Sequence, residues 1–309
     1  MVRARAFVPG RISSLFQICV RTPGGALIRD PARRGSRGGG LLLDKGVLTE
    51  VEAVRSRENE VGVYINGAKA PAETTLASVR QLLVLTPEKH RIIVRHTVDL
   101  PIGAGFGTSG AGALGAAFAV ARALGIEMSS NQLGRVAHIA EVLSQTGLGT
   151  VGPQLFGGGL VLTLRGGAPG YNLLDRIVVT PNIKVVAGSY APIRKATVLG
   201  DPKLSEEINR YGDEAMRTIQ KNPTMTNFMR TSRDFGLKLP LSTPRVREAI
   251  RAAEEAGAIG AAQNMIGEAV HALVDSRIVG RVVHALEQHF PEGGIIVANL
   301  DFQGARLVL

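Results

Sequence analysis

The chain has no tryptophan, four tyrosines, nine phenylalanines and one cysteine in 309 residues. With aromatics at 4%, too few rings are present to build the stacking platforms that hold single-stranded nucleic acid. The lone cysteine, Cys19, excludes an intramolecular disulfide framework and a cysteine-built zinc site, and it fits a reducing, cytoplasmic setting. Long apolar runs are missing too. The uncharged stretch Leu100–Ala121 opens on Pro101 and four glycines, so only Ala111–Leu124 is left as an apolar helix, the length of a core helix rather than a membrane span. Met1–Gly10 alternates arginine with apolar residues and lacks the apolar core of a signal peptide. No membrane partner is expected.

Hydrophobic residues make up 45% of the chain and charged residues 20%, the balance of a packed globular protein of one large or two medium domains. The net charge of +10 is concentrated at one end. Residues 1–37 carry eight arginines, among them Arg11 and Arg37, against the single acid Asp30. Such a segment suits nucleic acid, an anionic membrane, or a pocket for a small anionic substrate. Without aromatics or a helix-borne basic stripe, nucleic acid is the weakest of these.

Alternation predicts strands over Val2–Val8 and Ser14–Val20 around a Pro9-Gly10 turn, then Leu41–Val54 broken by a hairpin at Asp44-Lys45-Gly46. Val61–Ile65 ends at Asn66-Gly67, a strong hairpin signal. A helical period marks Pro71–Leu85, and His90–Val98 alternates again as a strand. Helices are expected at Ala111–Leu124 and Asn131–Ser144, the second capped by Ser129 or Ser130, followed by a Gly/Pro-rich loop over Thr146–Gly159 and a strand at Leu160–Leu164. The composition shifts near Gly166–Gly170, which suggests lobes at 1–168 and 169–309. The second would hold strands near Arg176–Thr180, Lys184–Ser189, Gly294–Ala298 and Arg306–Leu309. Its helices would be near Ser205–Gln220, Thr224–Phe235, Thr243–Ala256 and Arg277–His289. The class is α+β, two-lobed, without internal repeats.

The segment Asp99-Leu-Pro-Ile-Gly-Ala-Gly-Phe-Gly-Thr-Ser-Gly-Ala-Gly-Ala113 joins a strand to a helix. Its glycines can turn backbone N–H groups toward one ligand, and a helix N-terminus adds positive potential, which together make a phosphate cradle. The hydroxyls of Thr108 and Ser109 could meet phosphate oxygens or magnesium. The segment is neither the common P-loop, lacking Gly-Lys-Ser/Thr, nor a dinucleotide fingerprint, lacking the ribose-binding acid. The plain alternative is a glycine-rich turn with close helix packing.

Pro101-Ile-Gly-Ala-Gly-Phe-Gly-Thr-Ser-Gly-Ala resembles the Pro-x-x-x-Gly-Leu-Gly-Ser-Ser-Ala motif of the GHMP kinases. Within that superfamily, further stretches resemble the archaeal pantoate kinases. They are Ala6-Phe-Val-Pro-Gly10, Gly35-Ser-Arg-Gly-Gly-Gly40, Leu43-Asp-Lys-Gly-Val47, His138-Ile-Ala-Glu141, Thr146-Gly-Leu-Gly149 and Gly257–Gly267. They run in family order over nearly the whole chain. The resemblance implies a ribosomal-protein-S5-like first lobe, a ferredoxin-like second lobe, and a homodimer. Its reaction is ATP-dependent phosphorylation of pantoate in the archaeal route to coenzyme A.

Residue by residue, the resemblance implies that Pro101, Gly103, Gly105, Gly107, Thr108, Ser109 and Gly110 wrap the ATP phosphates. Ser109 and Glu141 would hold Mg2+, and Ser36 and His138 would contact pantoate. Arg37 is a candidate clamp for the pantoate carboxylate, by the chemistry of its fork. Arg11 stands where relatives carry His or Lys, and a cation there would stabilise the transferred phosphoryl. Other readings stay open: a solvated helix face for Glu141, a structural role for His138, and a mobile basic loop for Ser36-Arg37. Two positions depart from the family. Thr150 replaces the Asp expected after Thr-Gly-Leu-Gly, and Thr cannot act as a carboxylate base. Thr163 replaces a substrate-binding Arg, with Arg165 two residues on as a substitute on the same strand face. These departures keep two alternatives in view: a GHMP kinase for another small hydroxylated metabolite, and a catalytically weak ATP-binding relative.

Overall fold

The computed structural model describes residues 1–191 and 201–308. Two long strands, β1 (Val2–Cys19) and β2 (Gly35–Arg55), pair antiparallel along nearly their whole length. The turn expected at Pro9-Gly10 and the hairpin expected at Asp44–Gly46 are both absent, because each falls inside a continuous strand. The register jumps from Pro9↔Gly46 to Gly10↔Leu43, so Asp44 and Lys45 bulge from β2 opposite the residue that has no N–H to give. A second irregularity between Ser13 and Leu15 leaves Ser14 without a partner in β2.

Ser36 and Arg37 are likewise strand, not loop, and the neighbouring glycines explain it. A Cβ on Gly38 or Gly40 would overlap the carbonyls of Leu15 and Ile12, and one on Gly39 the ring of Phe228. Glycine here permits close approach of chains and confers no mobility.

Then follow β3 (Glu60–Ile65), the short β4 (Ala68–Lys69), α1 (Glu73–Leu83), β5 (His90–Val98), α2 (Thr108–Leu124) and α3 (Ser130–Leu143). Ser129 and Gln132 close a reciprocal capping box at the start of α3. The expected loop over Thr146–Gly159 contains a helix, α4 (Val151–Phe156), and leads to β6 (Leu160–Arg165) and β7 (Leu173–Ile177). One sheet runs in the order β12-β1-β2-β5-β3-β4, where β12 is Arg306–Val308, with β6 paired to the first half of β2 and β7 to β6. Leu309, the expected end of β12, lies outside the described residues. The alanine- and glycine-rich α2 lies buried on this sheet beside α1 and α3, since small side chains let it approach β1 and β2 closely.

The second sheet has the order β11-β8-β10-β9, from β8 (Ile183–Ala191), β9 (Gly260–Gln263), β10 (Glu268–Asp275) and β11 (Ile295–Asn299). Strands β9 and β10 fall where no strand is expected from the sequence. Helices α7 (Pro244–Glu255) and α8 (Val279–Glu287) cover one face through Val246, Ile250, Val282 and Leu286. On the other face, α5 (Pro202–Lys221) and α6 (Met225–Lys238) contribute Met216, Phe228 and Phe235 to a core shared with Ile12, Leu41 and Phe106 of the first sheet's side. The strands do not divide at one point in the sequence: β7 and β12 both belong to the first sheet, and the second begins at Ile183.

Candidate functional site

Gly107 is the N-cap of α2, at a φ of 68° that glycine adopts at little cost; Gly103 and Gly105 are also at positive φ. The loop therefore coils before the helix, and the first N–H groups of α2 have no intrahelical partner. Gly103, Gly105, Gly107, Thr108 and Ser109 line a cavity of about 610 Å³, within the range of nucleotide-sized ligands. Its apolar side comes from Pro71, Val98, Ile102 and Phe106, and its floor includes His96. Pro101 does not line this cavity. Gly110 faces the other way, toward Glu141 and Gln154.

Ser109 Oγ donates to Glu141 Oε1 at 3.0 Å, and Glu141 is 1% exposed on the inner face of α3, not on a solvated one. The carboxylate is wedged between two glycines: a Cβ on Gly147 would lie 2.6 Å from it, and one on Gly110 3.1 Å. A buried carboxylate and a hydroxyl at a helix N-terminus are hard oxygen donors, as magnesium requires. No cluster of three or more His, Cys, Asp or Glu is found among the described residues.

On the far side of this pair lies a second, smaller cavity, lined by Arg11, Ser13, Phe16, Ser36, the Gly147–Thr150 loop, Met265 and Ile266. Arg11 is 5% exposed, and its Nη1 donates to Ser13 Oγ at 2.6 Å while its Nε is buried without a hydrogen-bond partner. Burial draws the guanidinium down to about 10, opposed by the charge of Glu141, and it stays cationic at neutral pH. Ser36 Oγ lies against Gly149, where a Cβ would displace it. Thr150 is 8% exposed at the N-cap of α4, with its methyl against Gly107. The structure thus brings together Arg11, Ser36, Ser109, Glu141 and Thr150.

Three expected substrate contacts lie elsewhere. Arg37 alternates away from Ser36 and donates to Gln17 Oε1 at 3.0 Å, with Asp213 Oδ1 at 3.4 Å. The side chain of Arg165 is exposed and donates to the Tyr171 carbonyl at 2.9 Å; a register shift between Thr163 and Arg165 breaks the alternation that would have put it on the face of buried Thr163. His138 Nε2 donates to the Arg34 carbonyl at 2.8 Å, 1% exposed. Burial lowers its pKa, partly offset by bonds to the Arg34 and Pro31 carbonyls. It anchors the segment that leads into Ser36 and does not line the cavity.

Sequence reasoning missed several residues. Gln154 of α4 is fully buried, and its Nε2 donates to the Pro9 carbonyl at 2.9 Å and to that of Gly107 at 3.0 Å, tying the bulge of β1 to the helix start. It was hidden inside an apparent loop. Asn264 Nδ2 reaches the Ala104 carbonyl of the glycine loop at 3.4 Å, and its Oδ1 meets His271 Nδ1 at 2.9 Å. His271 Nε2 in turn is 2.9 Å from Ser14 Oγ. Only the motif similarity over Gly257–Gly267 hinted at this segment.

The family described as GHMP kinases N terminal domain matches residues 74–158. Among curated proteins, the pantoate kinase of Methanocaldococcus jannaschii is 25% identical over 84% of this chain and 89% of its own length. That of Thermococcus kodakarensis is 28% identical over 87% of each. Among solved structures, one described as "Phosphotransferase related to CoA biosynthesis pathway" superimposes with a TM-score of 0.87 at 26% identity, covering 99% of this chain and 98% of its own. A homoserine kinase from Cytophaga hutchinsonii superimposes with a TM-score of 0.74 at 18% identity, over 100% and 98%, a likeness of fold.

Proposed function

We propose that this chain, a kinase of GHMP fold, uses its paired cavities to transfer the γ-phosphoryl group of ATP to the C4 hydroxyl of pantoate, forming 4-phosphopantoate and ADP. The observation that carries this reading is that Ser109 lines the nucleotide-sized cavity while its hydrogen-bond partner Glu141 packs on Gly147 of the small cationic one.

The glycine loop and the α2 N-terminus bind the phosphates through backbone N–H groups. Ser109 and Glu141 would hold Mg2+, which supplies charge neutralisation on the phosphate oxygens. Arg11 orients the pantoate carboxylate or steadies the charge of the moving phosphoryl, with Ser13 and Ser36 as hydroxyl partners on the same wall. As the C4 oxygen bonds to phosphorus and the bond to the β-phosphate oxygen breaks, the hydroxyl proton must depart. Thr150 cannot take it as a carboxylate would; in a loose transition state the proton leaves late, onto a phosphoryl oxygen or water. The same reading carries a cytoplasmic homodimer in a coenzyme A pathway. No helix among the described residues is long and apolar enough to cross a membrane.

A coupled ADP-release assay with pantoate, mevalonate, homoserine and shikimate tests the reading. Pantoate is expected to be preferred, with turnover falling on the order of 10²-fold in Ser109→Ala or Glu141→Ala. No preference for pantoate would overturn it. Thr150→Asp is expected to change kcat less than about tenfold, because positioning and electrostatics carry phosphoryl transfer. A gain on the order of 10²–10⁴, the contribution of a general base, would instead mark the chain as a weakened relative.

A further inference from the structure

The smaller cavity has two unlike walls. Arg11, Ser13 and Ser36 form a polar one, and Phe16, Met265 and Ile266 an apolar one. In the second wall Phe16 comes from β1, whereas Met265 and Ile266 come from the turn between β9 and β10, on the other lobe from the glycine loop. Ile266 is buried there at φ 58°, a left-handed conformation in which a β-branched residue is an outlier.

The surroundings impose that conformation. Met265 N donates to the Ser13 carbonyl at 2.8 Å, and Asn264 N donates to the Ala269 carbonyl at 2.8 Å. The Asn264 side chain is held by His271. Gly267 presses so closely on the glycine loop that a Cβ would lie 2.5 Å from the Ala104 carbonyl oxygen. Glycine or asparagine would adopt such a φ readily, whereas isoleucine brings a branched apolar side chain into the acceptor cavity at a cost in backbone strain.

We propose that Met265 and Ile266 are specificity-determining residues whose apolar wall receives the two methyl groups on the quaternary carbon of pantoate. This rests on pantoate being the acceptor. That molecule divides as the cavity does, into an anionic and hydroxylated flank and a dimethyl flank. A smaller hydroxy acid lacking the methyls would leave the apolar wall unfilled.

The test compares kcat/KM for pantoate and for 2,4-dihydroxybutanoate, its analogue without the methyl groups. The unaltered protein should favour pantoate by about tenfold or more, as expected when methyl groups fill an apolar pocket. Met265→Ala and Ile266→Ala should each reduce that ratio by about fivefold or more, through the pantoate term and with KM for ATP unchanged. If pantoate is turned over but the ratio stays within about twofold in both variants, the proposal is overturned and the acceptor reading stands. If either variant fails to fold by circular dichroism, the unaltered protein decides, since equal use of both acceptors overturns the proposal without any substitution. Turnover of neither acceptor removes the acceptor reading itself, and the proposal with it.

Discussion

Of the arginines crowded into the first 37 residues, Arg11 is the one that lines the smaller cavity among the described residues. Arg3 and Arg5 pair with Glu52 and Glu50 on the sheet, Arg33 with Asp30, and Arg37 with Asp213. Charge counting therefore finds the segment but not the residue, because alternation along a strand sorts inside from outside only once its register is known. Ser109 and Glu141, by contrast, were legible through a motif whose spacing fixes one helix start against another. Two buried histidines give a prediction at this scale. Burial holds His96 down to about 4 and His271 to about 3, while both titrate near 6.5 when unfolded. Between about pH 6.5 and 4 the unfolded chain then binds more protons than the folded one. Their stabilising contribution is present above pH 6.5 and is lost as pH falls, each by up to about 1.4 kcal/mol per pH unit. Urea unfolding from pH 7 to pH 4.5 should show this loss, and His271→Gln should make its slope shallower.

Elements with strong local signals could be placed from sequence: β5, α2, and α3 with its Ser129 capping box. Elements defined by distant partners could not. Pro9-Gly10 and Gly38–Gly40 have the composition of turns and loops, yet strand pairing and close packing override it. Strands β9 and β10 escaped notice because GAAQ and EAVHALVD are short, alanine-rich runs with almost no alternation, buried between neighbours. The turn joining them offers a test at this scale. Gly267→Ala would push its Cβ into the Ala104 carbonyl and displace the glycine loop. KM for ATP should rise by about tenfold, as small misplacements of binding groups are costly. Gly280→Ala in α8, where a Cβ meets nothing within 4 Å, is the control: it should leave KM unchanged and hold or slightly raise stability, since alanine favours the helix. Equal behaviour of the two variants would show that the turn does not set the loop.

At the scale of the whole molecule, the two lobes share one hydrophobic core and a buried hydrogen-bonded chain from Ser14 through His271 and Asn264 to Ala104. On the proposed function, Mg-ATP bound at the glycine loop should therefore stabilise both. In scanning calorimetry a single transition is expected to move upward with ligand, by an amount equivalent to about 2.7 kcal/mol at a hundred times Kd. Removing the metal with EDTA should shrink that shift. Two transitions, with only one responding, would show that the lobes melt separately.

The bulge at Ser14 gives β1 the character of a ruler. One extra residue between Ser13 and Leu15 sets the parity of the strand, so Arg11, Ser13 and Phe16 face the same cavity although their numbers do not keep step. In a regular strand the five steps from Arg11 to Phe16 would put them on opposite faces, and the bulge returns them to one. Deleting Ser14 would also leave Arg11 and Phe16 on one face, yet it would remove the hydroxyl that meets His271. The lining of the smaller cavity is thus written in chain length as much as in residue identity, and the one residue outside the strand's count rivets the two lobes together.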